Sequence, residues 1–152
     1  MNDDLDELYQ QVILDHCKSP RNFHALDGAN RKGEGFNPLC GDNYTVFVKM
    51  NGDTVADASF QGSGCCISKA SASLMTAAVK GKSKSEVQTL FNHVHDMVTT
   101  GKVDDDGVGK LTVFAGVHKF PARVKCAILS WHAVLAAVEG KDGPVSTENE
   151  KD

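Results

Sequence analysis

Leu5, Leu8, Tyr9, Val12 and Ile13 recur at three- and four-residue intervals, which predicts an amphipathic helix over residues 4–17. Asp4 and Glu7 resemble a capping box at its start. Ser19-Pro20 ends it, because the residue before proline is pushed out of the α region. The glycine-bearing stretch 30–38 reads either as a short edge strand or as a loop. The period then changes from helical to two. Tyr44, Val46, Val48 and Met50 alternate with Thr45, Phe47 and Lys49, Asn51-Gly52 supplies a tight turn, and residues 54–61 continue as a second strand. These residues predict an antiparallel hairpin.

Beyond the hairpin, Gly62-Ser63-Gly64-Cys65-Cys66 leads into a helix over residues 67–80, closed by Gly81. Its Ala70, Ser71, Ala72, Ser73, Ala77 and Ala78 are small enough for close packing against a sheet. Ser83 and Glu86 form a capping box that opens the next helix, which carries Val87, Leu90, Val94, Met97 and Val98 on one face and ends at Gly101. Residues 103–110 read as a surface loop, and residues 111–120 are ambiguous. Pro121 suits the first turn of a last helix over residues 122–139. Residues 141–152 are expected to be a disordered tail after a single domain spanning residues 1–140. Helices on one side of a small antiparallel sheet make an α+β fold.

Composition narrows the function. A chain of 152 residues falls within the size of one domain, and 41% hydrophobic with 24% charged residues is ordinary globular content. A net charge of −4 argues against a nucleic-acid partner attracted by bulk charge. No apolar run approaches the roughly 20 residues of a membrane span, and the acidic start MNDDLDELYQ is unlike a signal peptide. A cytoplasmic protein without a membrane partner is expected. Five cysteines remain: Cys17, Cys40, Cys65, Cys66 and Cys126. Their odd number, the lack of an export signal and the length of the chain favour metal binding or thiol chemistry over a disulfide framework.

Cys40 and Asp42 stand two apart, so an extended segment would turn both to one side, where a thiolate and a carboxylate can share a metal ion. The alternative is a buried cysteine beside a turn aspartate. Cys65 follows two glycines at a strand-to-helix junction, and a helix N-terminus favours the thiolate. A tight turn with an incidental small residue is the other reading. In the last helix Val124, Ala127, Ile128, Trp131, Leu135 and Val138 share a stripe, and Cys126 falls on the opposite side. That leaves it available for a site, or for contact with a second neighbour. Cys66 reads as a packing residue and Cys17 as incidental. The six histidines show no ligand spacing and read as surface or internally satisfied residues, and there is no CxxC pair.

The segments Leu8-Tyr9 through Asp15-His16, Pro20-Arg21-Asn22, Asn37-Pro38-Leu39-Cys40-Gly41-Asp42, Gly62-Ser63-Gly64-Cys65 with Ile67-Ser68 and Ala70-Ser71-Ala72-Ser73, and Lys119-Phe120-Pro121-Ala122-Arg123-Val124-Lys125-Cys126 with Trp131 form a pattern. It resembles the SufU branch of the IscU/NifU N-terminal family over about residues 5–138, with the SufU-type insertion near residues 101–117. The resemblance implies a three-stranded antiparallel sheet with helices packed on it. It also implies a solvent-facing site in which Cys40, Asp42, Cys65 and Cys126 ligate one metal ion. IscU-branch members are scaffolds for a [2Fe–2S] cluster. SufU-branch members resemble zinc proteins that take persulfide sulfur from a SufS-type cysteine desulfurase and pass it to the downstream cluster assembly complex. On this resemblance Cys40 is the sulfur acceptor and Zn²⁺ the expected cofactor, with a [2Fe–2S] cluster or iron as the alternative.

Two departures favour the SufU branch. Lys125 stands where IscU has a histidine before its third cysteine, and a protonated lysine has no lone pair for a metal, which leaves the fourth position to Asp42. Phe120-Pro121-Ala122-Arg123-Val124-Lys125 replaces the segment by which IscU is recognised by an Hsp70-type chaperone. Arg123 and Lys125 are expected to offset the negative centre or to orient a partner.

Overall fold

The structure is a computed structural model and describes residues 3–38, 41–103, 109–140 and 145–146. Helix α1 (Asp3–Lys18) is followed by strands β1 (Arg31–Asn37), β2 (Asp42–Asn51) and β3 (Thr54–Ser63). Helices α2 (Cys66–Val79) and α3 (Lys84–Thr100) come next. A 3₁₀ helix (Gly109–Lys119), helix α4 (Pro121–Glu139) and the two-residue strand β4 (Val145–Ser146) complete the order. The sheet order is β3-β2-β1-β4, antiparallel between β3 and β2 and between β2 and β1, while β4 runs parallel to β1. The α+β fold with three antiparallel strands is as expected, and β4 adds a short edge to it. Apart from β4, the stretch read as a tail lies outside the described residues. So do residues 104–108 of the expected loop and the side chains of Asp4, Leu5, Glu7 and Leu8.

Alternation builds the sheet's inner face. Along β2, Asp42, Tyr44, Val46, Val48 and Met50 are buried and the residues between them are not. Strand β1 settles the open reading of residues 30–38 in favour of a strand. Its inner positions are Gly33, Gly35 and Asn37. A Cβ on Gly33 would run into the Ala133 carbonyl of α4, so the glycine lets the helix backbone lie directly on the strand. Helix α4 is enclosed on nearly every side by the sheet, α2, α3 and the 3₁₀ helix, and Trp131, Ile128 and Leu129 are fully buried in the core around it. The small residues of α2 allow its close approach, and the Ser71 hydroxyl donates to the Ala127 carbonyl of α4. Of the ambiguous stretch 111–120, residues 111–119 belong to the 3₁₀ helix and Phe120 is the N-cap of α4.

Two of the expected helix caps are present. Ser83 accepts from the Glu86 backbone N–H while the Glu86 carboxylate accepts from the Ser83 backbone N–H, and Gly101 closes α3 in the left-handed region. Ser83→Ala leaves one N–H of the first turn unpaired and should lower stability by about 1 kcal/mol, a shift of about 2–4 °C in Tm. Unfolding of the two proteins followed by circular dichroism checks this; an unchanged midpoint would contradict the contribution of the cap.

The cysteine reading needs one correction. Cys17 and Cys66, expected to be an incidental and a packing residue in a chain without disulfides, are joined in a disulfide with Cα atoms 5.1 Å apart. The cause is tertiary: α1 lies along α2, which brings the end of one helix to the beginning of the other across 49 residues of sequence.

Candidate metal centre

Three chain segments meet at one end of the sheet. Asp42 opens β2 on its helix-facing side and is 1% exposed. Asn43 pairs with Ser63 at the end of β3, so the two residues that follow, Gly64 and Cys65, arrive beside Asp42. Cys126 comes from the second turn of α4, near the end of β1, where Asn37 Nδ2 lies 3.8 Å from its Sγ. One ligand atom from each of Asp42, Cys65 and Cys126 lies within 4.8 Å of the others.

The local backbone holds this arrangement in place. Cys65 is the N-cap of α2, and its sulfur accepts from the Ser68 N–H at 3.5 Å. Its own N–H donates to Asp42 Oδ1 at 2.9 Å, and its Sγ lies 3.9 Å from Asp42 Oδ2. Ser68 donates to the Cys65 carbonyl at 2.9 Å and shares a hydrogen bond with the Tyr44 hydroxyl, also at 2.9 Å. Gly64 is required by space. A Cβ there would stand 2.6 Å from Asp42 Oδ1, from Ser68 Oγ and from the Tyr44 hydroxyl.

Proton sharing ties the two thiols together. The hydrogen bond with Cys126, aided by the Ser68 amide, pulls the Cys65 thiol down to about 5 against the opposing effect of burial. The same hydrogen bond, burial and the negative charges of Cys65 and Asp42 push the Cys126 thiol upward. The shared proton thus eases ionisation of Cys65 and opposes that of Cys126. Burial, assisted by Asp42 and the two cysteines, raises the Tyr44 hydroxyl to about 12.

This donor set fits a divalent cation. Among the described residues the ion pairs are Arg21–Asp15, Lys32–Glu34 and Lys80–Asp57, all away from Asp42. A tetrahedral zinc with usual bond lengths sets a sulfur and an oxygen ligand about 3.6 Å apart, close to the 3.9 Å between Cys65 Sγ and Asp42 Oδ2. A metal ion would also take the place of the shared proton and keep both sulfurs as thiolates.

Of the residues singled out in the sequence, Asp42, Cys65 and Cys126 come together, whereas Cys40 lies outside the described residues. The same-side argument for Cys40 and Asp42 loses its basis, because Gly41 between them has φ +74° and its N–H bonds back to the Asn37 carbonyl. Cys126 lies off the main apolar stripe, as its helical position implies; it is fully buried beside Asp42 and Cys65 and is not part of the main core cluster. Nor are the three residues solvent-facing: Asp42 and Cys126 are buried and Cys65 is partly exposed. Arg123 is exposed at the start of α4, and Lys125 is partly buried beside Cys126. The histidines stand apart from the cluster. His16 bonds to Ser73, His118 to Ala115, and the rings of His95 and His132 pack on Phe91. The sequence reading gave no site role to Asn37, Tyr44 or Ser68; the position of Ser68 three residues after the capping Cys65 is the one local signal that marks it.

Comparison with known proteins agrees with this geometry. Residues 8–127 match the family described as NifU-like N terminal domain. The chain is 45% identical over 144 residues to the zinc-dependent sulfurtransferase SufU of Bacillus subtilis, covering 93% of this chain and 97% of that one. It is 36% identical to the iron–sulfur cluster assembly scaffold protein IscU of Thermotoga maritima, with 87% and 93% covered. A crystal structure described as a scaffold protein candidate for the SUF system, from Fervidobacterium islandicum, superposes with a TM-score of 0.81 at 30% identity. It covers 90% of this chain and 99% of that one. The match over most of its length, onto a fold that brings Asp42, Cys65 and Cys126 together, makes the chain a member of the NifU-like N-terminal domain family.

Proposed function

We propose that the chain is a zinc-dependent sulfur carrier of iron–sulfur cluster assembly, acting in the cytoplasm with a SufS-type cysteine desulfurase. The observation that carries this reading is the cluster of one buried carboxylate and two thiols, in a chain 45% identical to a protein named for zinc-dependent sulfur transfer. Cys40, two residues before Asp42, completes the set of four ligands in this reading. Zinc, when bound, is redox-inert and keeps its thiolate ligands deprotonated at neutral pH.

The chain's own groups supply the rest. The Cys40 thiolate attacks the outer sulfur of the persulfide on the desulfurase cysteine. A sulfur–sulfur bond forms on Cys40, the bond to the desulfurase sulfur breaks, and that sulfur leaves as a thiolate. Asp42, fixed by the Cys65 N–H, holds the site's shape through the exchange. Arg123 and Lys125, shortly before Cys126 in α4, offset negative charge and face an approaching partner. The cluster assembly machinery then accepts the sulfur.

The same four residues would serve a [2Fe–2S] scaffold, and relatives named IscU support that as the second reading. Metal content after anaerobic purification, combined with alanine release by the desulfurase, separates the two. One zinc per chain with strong stimulation is the expected result. A reconstituted cluster that passes to an apo-protein, without stimulation, selects the scaffold instead.

A further inference from the structure

We propose that Cys17 and Cys66 form a dithiol–disulfide pair that reduces persulfide sulfur to sulfide. The inference rests on the sulfur-carrier reading and adds to it the two electrons that such a carrier's cargo lacks. The outer sulfur of a persulfide is formally at oxidation state zero, whereas cluster sulfide is at minus two.

The placement of the pair carries the argument. The Cα separation of 5.1 Å lies within the range that two cysteines bridge without backbone movement. Cys66 is the chain neighbour of Cys65, so the pair sits beside the candidate metal centre. Both cysteines are partly exposed, and Cys66 lines an open groove of about 680 Å³ with Tyr9, Ile13, Phe120 and Arg123. A small persulfide can therefore approach the Cys66 sulfur from solvent.

The bridge is not needed as a staple. A chain with this large a core folds without one. The contact between α1 and α2 has other ties as well, from His16 and the Arg21 N–H to Ser73 and from Asn22 to Thr76. Partly exposed disulfides in a reducing compartment are usually transient and catalytic or redox-sensing.

The steps balance. The Cys66 thiolate attacks the outer sulfur of R–S–SH, forming Cys66–S–SH and releasing R–S⁻. The Cys17 thiolate then attacks the Cys66 sulfur, forming the Cys17–Cys66 disulfide and releasing HS⁻. The two protons of the starting thiols end on R–S⁻ and HS⁻. In sum, one persulfide and two thiols give one thiol, one disulfide and H₂S. A dithiol reductant restores the pair by exchange.

The test uses the full-length, zinc-loaded protein, reduced and then freed of reductant under anaerobic conditions, with glutathione persulfide as the probe. About one sulfide per chain should be released, and peptide mass analysis should show the Cys17–Cys66 link appearing with it. The C17S/C66S protein should release at least tenfold less, and C17S alone should accumulate Cys66 carrying one extra sulfur. Equal sulfide from C17S/C66S, or release without oxidation of the pair, overturns the proposal. A failure of the carrier reading is separable. Alanine release by the desulfurase, measured with excess dithiol, should be as strong with C17S/C66S as with the parent chain. Loss of stimulation by the parent chain itself counts against the carrier reading alone.

Discussion

Asp42→Ala should bind zinc at least about 100-fold more weakly than the parent chain, since even partners outside the ligand shell commonly cost 10–100-fold when removed. The carboxylate performs two tasks that the mutation removes together. Its Oδ1 accepts the Cys65 N–H at 2.9 Å, and its Oδ2 stands 3.9 Å from the Cys65 sulfur, where a metal ligand is needed. Asp42→Asn separates them. The amide oxygen can still accept from Cys65, which preserves the link between β2 and the start of α2, but it brings no negative charge to a cation. The expected order of affinity is parent, then Asp42→Asn, then Asp42→Ala, with the first step the larger. Competition against a chromophoric chelator measures it, and unchanged affinity in Asp42→Ala would remove the aspartate from the metal centre. Circular dichroism spectra of the variants guard against misfolding, because Asp42 is buried at a sheet end.

Much of this arrangement could be read from residue order, and the exceptions share a cause. Period-two alternation predicts β2, the Asn51-Gly52 turn predicts β3 after it, and capping chemistry predicts both ends of α3, because those signals are local. Strand β1 stayed ambiguous since its inner positions include Gly33 and Gly35. The alternation is present, but it is written in missing side chains where α4 lies on the backbone. Helical spacing in α4 marks one apolar stripe, whereas the helix is buried on nearly all sides, because small residues such as Ser130, Ala133 and Ala137 let its neighbours close over the rest. Residues 111–119 follow a 3₁₀ path, whose period matches neither template. For the site, Cys65 and Cys126 were singled out from helix-end and helix-side arguments, but only tertiary packing could bring them to Asp42. The Cys17–Cys66 pairing has no sequence signal, because it depends on how α1 lies against α2.

Cys40→Ser should reduce desulfurase stimulation to the level of the desulfurase alone while leaving the fold intact. Cys40 stands two residues before Asp42 in the sequence and is the acceptor in the proposed reading. The surroundings of Cys65 and Cys126 suit neither of them to the acceptor role. The Cys65 sulfur is committed to the N-cap of α2, and Cys126 is fully buried within α4. A sulfur acceptor must meet an external persulfide in line with its sulfur–sulfur bond, which neither of those positions favours. Loss of a ligand could also release zinc, so the assay is run at saturating zinc with metal content measured in the same sample. Serine cannot form a persulfide; the peptide containing position 40 should gain one sulfur in the parent chain after reaction with the loaded desulfurase and none in the variant. Stimulation that persists in zinc-loaded Cys40→Ser would assign the acceptor role elsewhere, with the partly exposed Cys65 the next residue to replace.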